Sequence, residues 1–102
     1  MTRPAVLFAS VTEEEFQAHV IRLSTMFGWL TYHTRDSRRS ASGFPDLVLV
    51  RGPRLIFAEL KSVNGKVRDS QADWLTRLRD TKAEVYLWRP NDIDEITEIL
   101  RG

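Results

Sequence analysis

Apolar positions along this chain change their period several times, and each change marks an element. From Thr12 the pattern is helical. Thr12-Glu13-Glu14-Glu15 matches a capping box, with Thr12 as N-cap and Glu15 three positions on, and Phe16, Val20, Leu23 and Phe27 recur on one face. Gly28 closes this helix, as glycine commonly does. Trp29 to His33 alternates in the manner of a strand, with Trp29, Thr31 and His33 on one face and Leu30 and Tyr32 on the other.

Residues 34–43 are polar, basic and rich in small side chains, and read as a loop. Asp46 to Arg51 contains the continuous apolar run Leu-Val-Leu-Val, Gly52-Pro53 marks a turn, and Leu55 to Lys61 forms the next strand. After a loop around Gly65, Asp69 or Ser70 caps a second helix that runs to about Asp80 and carries Trp74, Leu75 and Leu78 on its apolar side. Val85 to Trp88 makes a fourth strand. Pro90 punctuates, and Asp92 caps a terminal helix bearing Ile93, Ile96, Ile99 and Leu100. Residues 1–10 read as a lead-in. The predicted order is α-β-β-β-α-β-α, in which helices cover a small mixed sheet, so the class is α/β or α+β.

Composition narrows the picture further. A chain of 102 residues suits one core, filled here by three Trp, two Tyr and five Phe among its apolar residues. The absence of cysteine excludes disulfides, thiolate catalysis and a zinc ribbon. No apolar run has transmembrane length and no secretion signal opens the chain, which points to the cytoplasm. The formal charge is only +1, yet basic residues are clustered: Arg35, Arg38 and Arg39 in the Ser-rich loop, and Lys61, Lys66 and Arg68 after the third strand. Such clusters neutralise phosphates even in a nearly neutral chain; a solvated basic loop is the plainer alternative.

The candidate chemistry lies in Gly43-Phe44-Pro45-Asp46 and Glu59-Leu60-Lys61. Side chains two apart on a strand share a face, so Glu59 and Lys61 project together, and a hairpin brings Asp46 beside them. Asp46 and Glu59 are hard oxygen ligands suited to Mg²⁺ or Mn²⁺. A cation there activates water and neutralises a scissile phosphate, while Lys61 stabilises transition-state charge. Alone, an Asp at a strand start is often a turn cap and Glu-x-Lys often a solvated face. Here the pair stands among Leu55, Ile56, Phe57, Ala58 and Leu60, where charged groups need partners or a purpose. Glu13 and Gln17 share a helical face that can look onto the site; Glu13 equally suits the helix dipole. Gln71 supports the site or touches phosphate, or is a surface residue. His33 is a general base, a DNA contact or a packed histidine, and His19 reads as surface.

These motifs together resemble the PD-(D/E)XK nuclease signature, and in detail its VRR-NUC branch of phage, bacterial and eukaryotic repair nucleases. Thr-Glu-x-x-Phe-Gln at 12–17, Tyr32-His33, Arg38-Arg39-Ser40, Ser70-Gln71 with Trp74-Leu75, and Trp88-Arg89-Pro90 are similar to that branch over residues 12–98. The resemblance implies an α/β fold with an αβββαβ restriction-endonuclease-like core plus a C-terminal helix, residues 11–102 forming one nuclease domain. It implies Asp46 and Glu59 as metal ligands with the backbone carbonyl of Leu60, Lys61 as catalytic lysine, and Glu13 and Gln71 as further site residues. Arg35, Arg38, Arg39, His33 and Lys66 are then candidate DNA contacts. The stand-alone forms it resembles imply a homodimer acting on branched DNA, in the manner of a Holliday-junction resolvase. A nicking or flap nuclease, a subunit that needs an accessory protein, and a non-catalytic DNA-binding module are the alternatives.

Overall fold

A computed structural model describes residues 2–34 and 41–102, so Arg35, Arg38 and Arg39 lie outside the described residues. The elements are α1 (Glu13–Met26), β1 (Leu30–His33), β2 (Leu47–Arg51), β3 (Arg54–Leu60), α2 (Asp69–Arg79), β4 (Glu84–Trp88) and α3 (Ile93–Arg101). Short 3-10 turns at Ala5–Phe8 and Pro90–Asp92 precede α1 and α3. The class is α/β, with the expected order αβββαβα. Among the described residues no helix is long and apolar enough to cross a membrane.

The strands form one sheet in the order β1-β2-β3-β4. The first two pairings are antiparallel and β3 runs parallel to β4. Chain connectivity explains the difference. Gly52, at φ +57°, and Pro53 close β2 onto β3 as a tight hairpin. A parallel neighbour needs a long crossover, and α2 supplies it.

Each face of the sheet has its own cover. Leu47, Leu49, Ile56, Ala58, Leu60 and Trp88 pack against Phe16 and Val20 of α1 and Ile96 and Leu100 of α3. On the opposite face Phe44 sets its ring edge-on against Phe57 and Trp74, with centroids 6.1 and 5.1 Å apart, and so joins α2 to β3. The predicted alternation of β1 holds. Thr31 and His33 pair with Leu49 and Leu47 on the α1 side, while Leu30 and Tyr32 on the α2 side remain 76% and 60% exposed. Val50 and Leu55, beside them in register, are also exposed, so α2 leaves the β1 end of its face open.

Several boundaries differ from the sequence reading by a residue: β2 starts at Leu47, β3 spans Arg54–Leu60 and β4 starts at Glu84. Trp29 precedes β1; it is buried, and its indole N–H donates to the Leu100 carbonyl at 2.8 Å. The cap of α2 is Arg68, not Asp69 or Ser70, because the Arg68 N–H donates to Gln71 Oε1 at 2.9 Å. Asp92 stands at the N-cap of α3 as expected, but its carboxylate turns back to accept from the Arg89 N–H at 3.0 Å, which caps the 3-10 turn before it. The box on α1 forms as expected, with Glu15 N–H to Thr12 Oγ1 at 3.1 Å and Thr12 N–H to Glu15 Oε1 at 3.0 Å.

The hairpin end of the sheet is tied by two arginines. Arg51 Nη1 donates to the carbonyls of Phe27 and Leu100 at 2.9 and 2.8 Å, and Arg54 Nη1 to that of Ile99 at 3.2 Å. Both guanidinium groups lie over the Trp29 ring, at 4.6 and 4.8 Å from its centroid. Carbonyls left without partners at the ends of α1 and α3 are thereby satisfied.

Candidate active site

The chemistry-bearing residues gather at the other end of β2 and β3. Asp46 stands immediately before β2, and the Leu60 N–H donates to its Oδ2 at 2.8 Å. What fixes Asp46 there is the segment ahead of it. Gly43, at φ +84°, lies so close to α2 that an added Cβ would come within 2.4 Å of the Ser70 carbonyl carbon and 2.7 Å of the Gln71 nitrogen. Only glycine permits both that backbone conformation and that approach. The Trp74 indole N–H donates to the Ser42 carbonyl at 3.0 Å, and Pro45 is buried. The residues after the basic loop are thus packed onto the first turns of α2, and Asp46 is delivered against β3.

Glu59 and Lys61 share a face, as strand geometry requires, and both are buried: 1% and 8% exposed. Gln71 joins them from α2 at 6% exposed. Its Nε2 donates to Glu59 Oε2 at 2.7 Å, and its Oε1 accepts from the Arg68 N–H, so the amide is held at both ends. Lys61 Nζ stands 3.6 Å from the same Oε2. The other oxygen, Oε1, is buried without a hydrogen-bond partner.

Burial therefore dominates the electrostatics of Glu59. Desolvation pushes its pKa up to about 8, the Asp46 carboxylate pushes in the same direction, and the Lys61 ammonium opposes both. Glu13 lies near enough for its charge to raise the value further. Of its neighbours, Glu15 is committed to the α1 cap, which holds its own pKa low.

The remaining predicted residues fall in different places. Glu13 is exposed at the start of α1, and Gln17 one turn on is half-buried. Leu60 buries its side chain in the core and presents only its backbone to Asp46. Lys66 is exposed in the loop after β3. His33 lies on the α1 side of the sheet, away from the Glu59–Lys61 row, and its Nδ1 is buried without a partner. Gly43, part of the candidate motif, positions the site by its approach to α2, and Ser42 and Trp74 do so through a bond the sequence did not reveal. The available signal was a glycine three residues before Asp46, at the close of a Ser-rich run.

Among the described residues no three His, Cys, Asp or Glu side chains form a cage for a metal ion. The donors present nonetheless fit a hard divalent cation: two carboxylates, one with a buried oxygen lacking any partner. Cations of this kind commonly complete their shell with water and substrate phosphate.

The VRR-NUC domain model matches residues 4–91. The chain belongs to the VRR-NUC family. VRR-NUC domains are a PD-(D/E)XK nuclease family, which implies a nuclease acting on DNA, and that superfamily generally uses a divalent metal. A solved structure described as a VRR_NUC domain protein superposes with a TM-score of 0.69, covering 89% of this chain and 86% of that one at 19% identity. At that identity the likeness establishes the VRR-NUC fold alone. No curated protein matches the chain. The VRR-NUC match takes in Glu13, Asp46, Glu59, Lys61 and Gln71.

Proposed function

We propose that the protein is a Mg²⁺- or Mn²⁺-dependent endodeoxyribonuclease that hydrolyses phosphodiester bonds in branched DNA. One observation carries the reading. Glu59 is buried with one oxygen unpartnered, beside Asp46, while Gln71 and Lys61 hold its other oxygen. A protein with no use for a cation gains nothing from so costly a carboxylate, which argues against a non-catalytic module.

In this mechanism Asp46 and Glu59 hold the cation. A residue's N–H and C=O leave a strand on the same edge, so the Leu60 carbonyl faces the Asp46 side and would be the third protein ligand. A cation held there would supply charge neutralisation at the scissile phosphate and a lowered pKa for its water. Gln71 orients the Glu59 carboxylate. Lys61 positions the attacking water and stabilises negative charge as phosphorus becomes five-coordinate. Glu13 orients a second water or ion from the start of α1. Lys66 and the arginines at 35, 38 and 39 bind flanking phosphates.

Residues 11–102 act as one nuclease domain in this reading, and a homodimer places two sites on one junction. The open end of the α2 face, with Leu30, Tyr32, Val50 and Leu55 exposed, is the surface assigned to the second copy. The deciding assay is cleavage of labelled four-way junction, flap and linear duplex in Mg²⁺, Mn²⁺ or EDTA, beside Asp46→Ala. Metal-dependent junction cleavage that Asp46→Ala abolishes is the expected result. Cutting confined to flaps or linear duplex replaces the substrate, and undiminished cutting by Asp46→Ala discards the site.

A further inference from the structure

Immediately after Lys61 the chain makes a turn whose carbonyls converge on a single atom. Arg89 Nη1 donates to the carbonyl oxygens of Ser62, Gly65 and Val63, at 2.7, 2.8 and 3.3 Å. Three carbonyl dipoles aimed at one point repel one another unless a cation sits among them, and charge-assisted bonds from guanidinium are among the strongest neutral oxygens accept. The root of Arg89 is equally constrained: its N–H donates to Asp92 at 3.0 Å, and the carbonyl of the preceding Trp88 accepts from the Lys61 N–H at 3.0 Å. Residues 88 and 89 thus hold both the backbone of Lys61 and the turn that follows it.

That turn also bears on the lysine side chain. Gly65 N–H donates to the Ser62 carbonyl at 3.1 Å and folds the chain back. A Cβ at Gly65 would meet Ser62 Oγ at 3.0 Å and Lys61 Cβ at 3.4 Å, so the turn lies directly against the base of the lysine. A lysine stem has several rotatable bonds and ordinarily samples many rotamers. Here it is 8% exposed, with its ammonium 3.6 Å from Glu59.

We infer that Arg89 is a positioning residue for Lys61: its guanidinium fills a cradle of three carbonyls and so clamps the turn that confines the lysine. The inference rests on the nuclease reading for its kinetic consequence, but its structural consequence can be measured separately. Arg89 makes none of these contacts with Asp46, Glu59 or Gln71, so it acts through the turn.

The test is Arg89→Ala in the full chain, assayed for DNA cleavage with and without millimolar guanidinium chloride, alongside the NMR signals of the Lys61 ε-methylene. The expected result is a kcat lowered about tenfold to a hundredfold with KM nearly unchanged, since misplacement of a reacting group acts on the chemical step. Free guanidinium occupies the vacated cradle and restores most of the rate, while the two ε-methylene protons, distinct in the wild type, merge in the variant and separate again on rescue. A purely structural loss moves melting temperature but is not repaired by millimolar denaturant. Unchanged kcat with an unchanged Lys61 signal overturns the inference, as does a folded variant that guanidinium fails to rescue. If Arg89→Ala does not fold, Gly65→Ala keeps the arginine and crowds the turn itself, 3.0 Å from Ser62 Oγ and 3.3 Å from Ser62 N, where it lies against Lys61; an unaltered Lys61 signal there overturns it too. A wild type that cuts no DNA counts against the nuclease reading alone, and the Lys61 signals in the two variants still decide this one.

Discussion

Glu59 keeps its proton to a pH at which most carboxylates have long lost theirs, and this has a thermodynamic signature. Its pKa rises from 4.5 to about 8 on folding, chiefly through burial. Between those values the native state binds more protons than the unfolded one, so metal-free stability is fully present below about pH 4.5 and falls as pH rises toward 8. The loss attributable to this residue is on the order of a few kcal/mol. Urea denaturation in EDTA from pH 5 to 8 should show that slope, and Glu59→Gln should flatten it; an equal slope in both proteins would rule the account out. Gln71→Leu removes the donor to Glu59 Oε2 and should weaken Mn²⁺ binding about tenfold to a hundredfold, as loss of a group orienting a ligand typically does. Calorimetric titration measures this directly, and unchanged affinity would exclude Gln71 from that role. Asp46, Glu59 and Lys61 were legible because charges in an otherwise apolar run demand an explanation. The isolation of Glu59 Oε1 was not, because it follows from how α2 closes over β3.

At the scale of elements, local signals succeeded where one residue had one available role. The α1 capping box and the glycines at its end and in the hairpin did. The α2 cap was misplaced because several polar residues adjoin, Asp69 and Ser70 following Arg68, while Asp92 holds the expected N-cap position of α3 and turns its carboxylate to the turn before it. Trp29 extended the alternation of β1 by one residue, because the period of a strand does not reveal where its pairing begins. The joint between residues 41–46 and α2 was illegible for the same reason, since it depends on close approach between distant segments. Its consequence is testable. Gly43→Ala combines a positive φ with a Cβ 2.4 Å from the Ser70 backbone, and should cost at least about 2 kcal/mol by urea denaturation while displacing Asp46 and depressing cleavage. A variant of wild-type stability and activity would show that the segment relaxes freely.

The molecule as a whole is asymmetric. One face of the sheet is filled by α1 and α3, whereas α2 shields only part of the other and leaves Leu30, Tyr32, Val50 and Leu55 outside. If a second copy covers that patch, Leu30→Asp with Tyr32→Glu should convert a dimer to a monomer in light scattering, with little change in the fold of each protomer, since both sites are exposed. A wild type that is monomeric at high concentration would remove the second copy from the picture. Sequence pattern alone anticipated the seven elements and the hairpin, but not which flank of the sheet stays uncovered, because that is set by the reach of the crossover helix. The bond from the Trp74 indole to the Ser42 carbonyl has an optical consequence. The ring of Trp88 is sealed in the core, and Trp29 lies under two guanidinium groups at the hairpin end, so its emission is insulated from events at the catalytic end. Trp74 is not: its fluorescence follows the segment that carries Asp46, and makes the arrival of metal or DNA visible in a stopped-flow trace without any added dye.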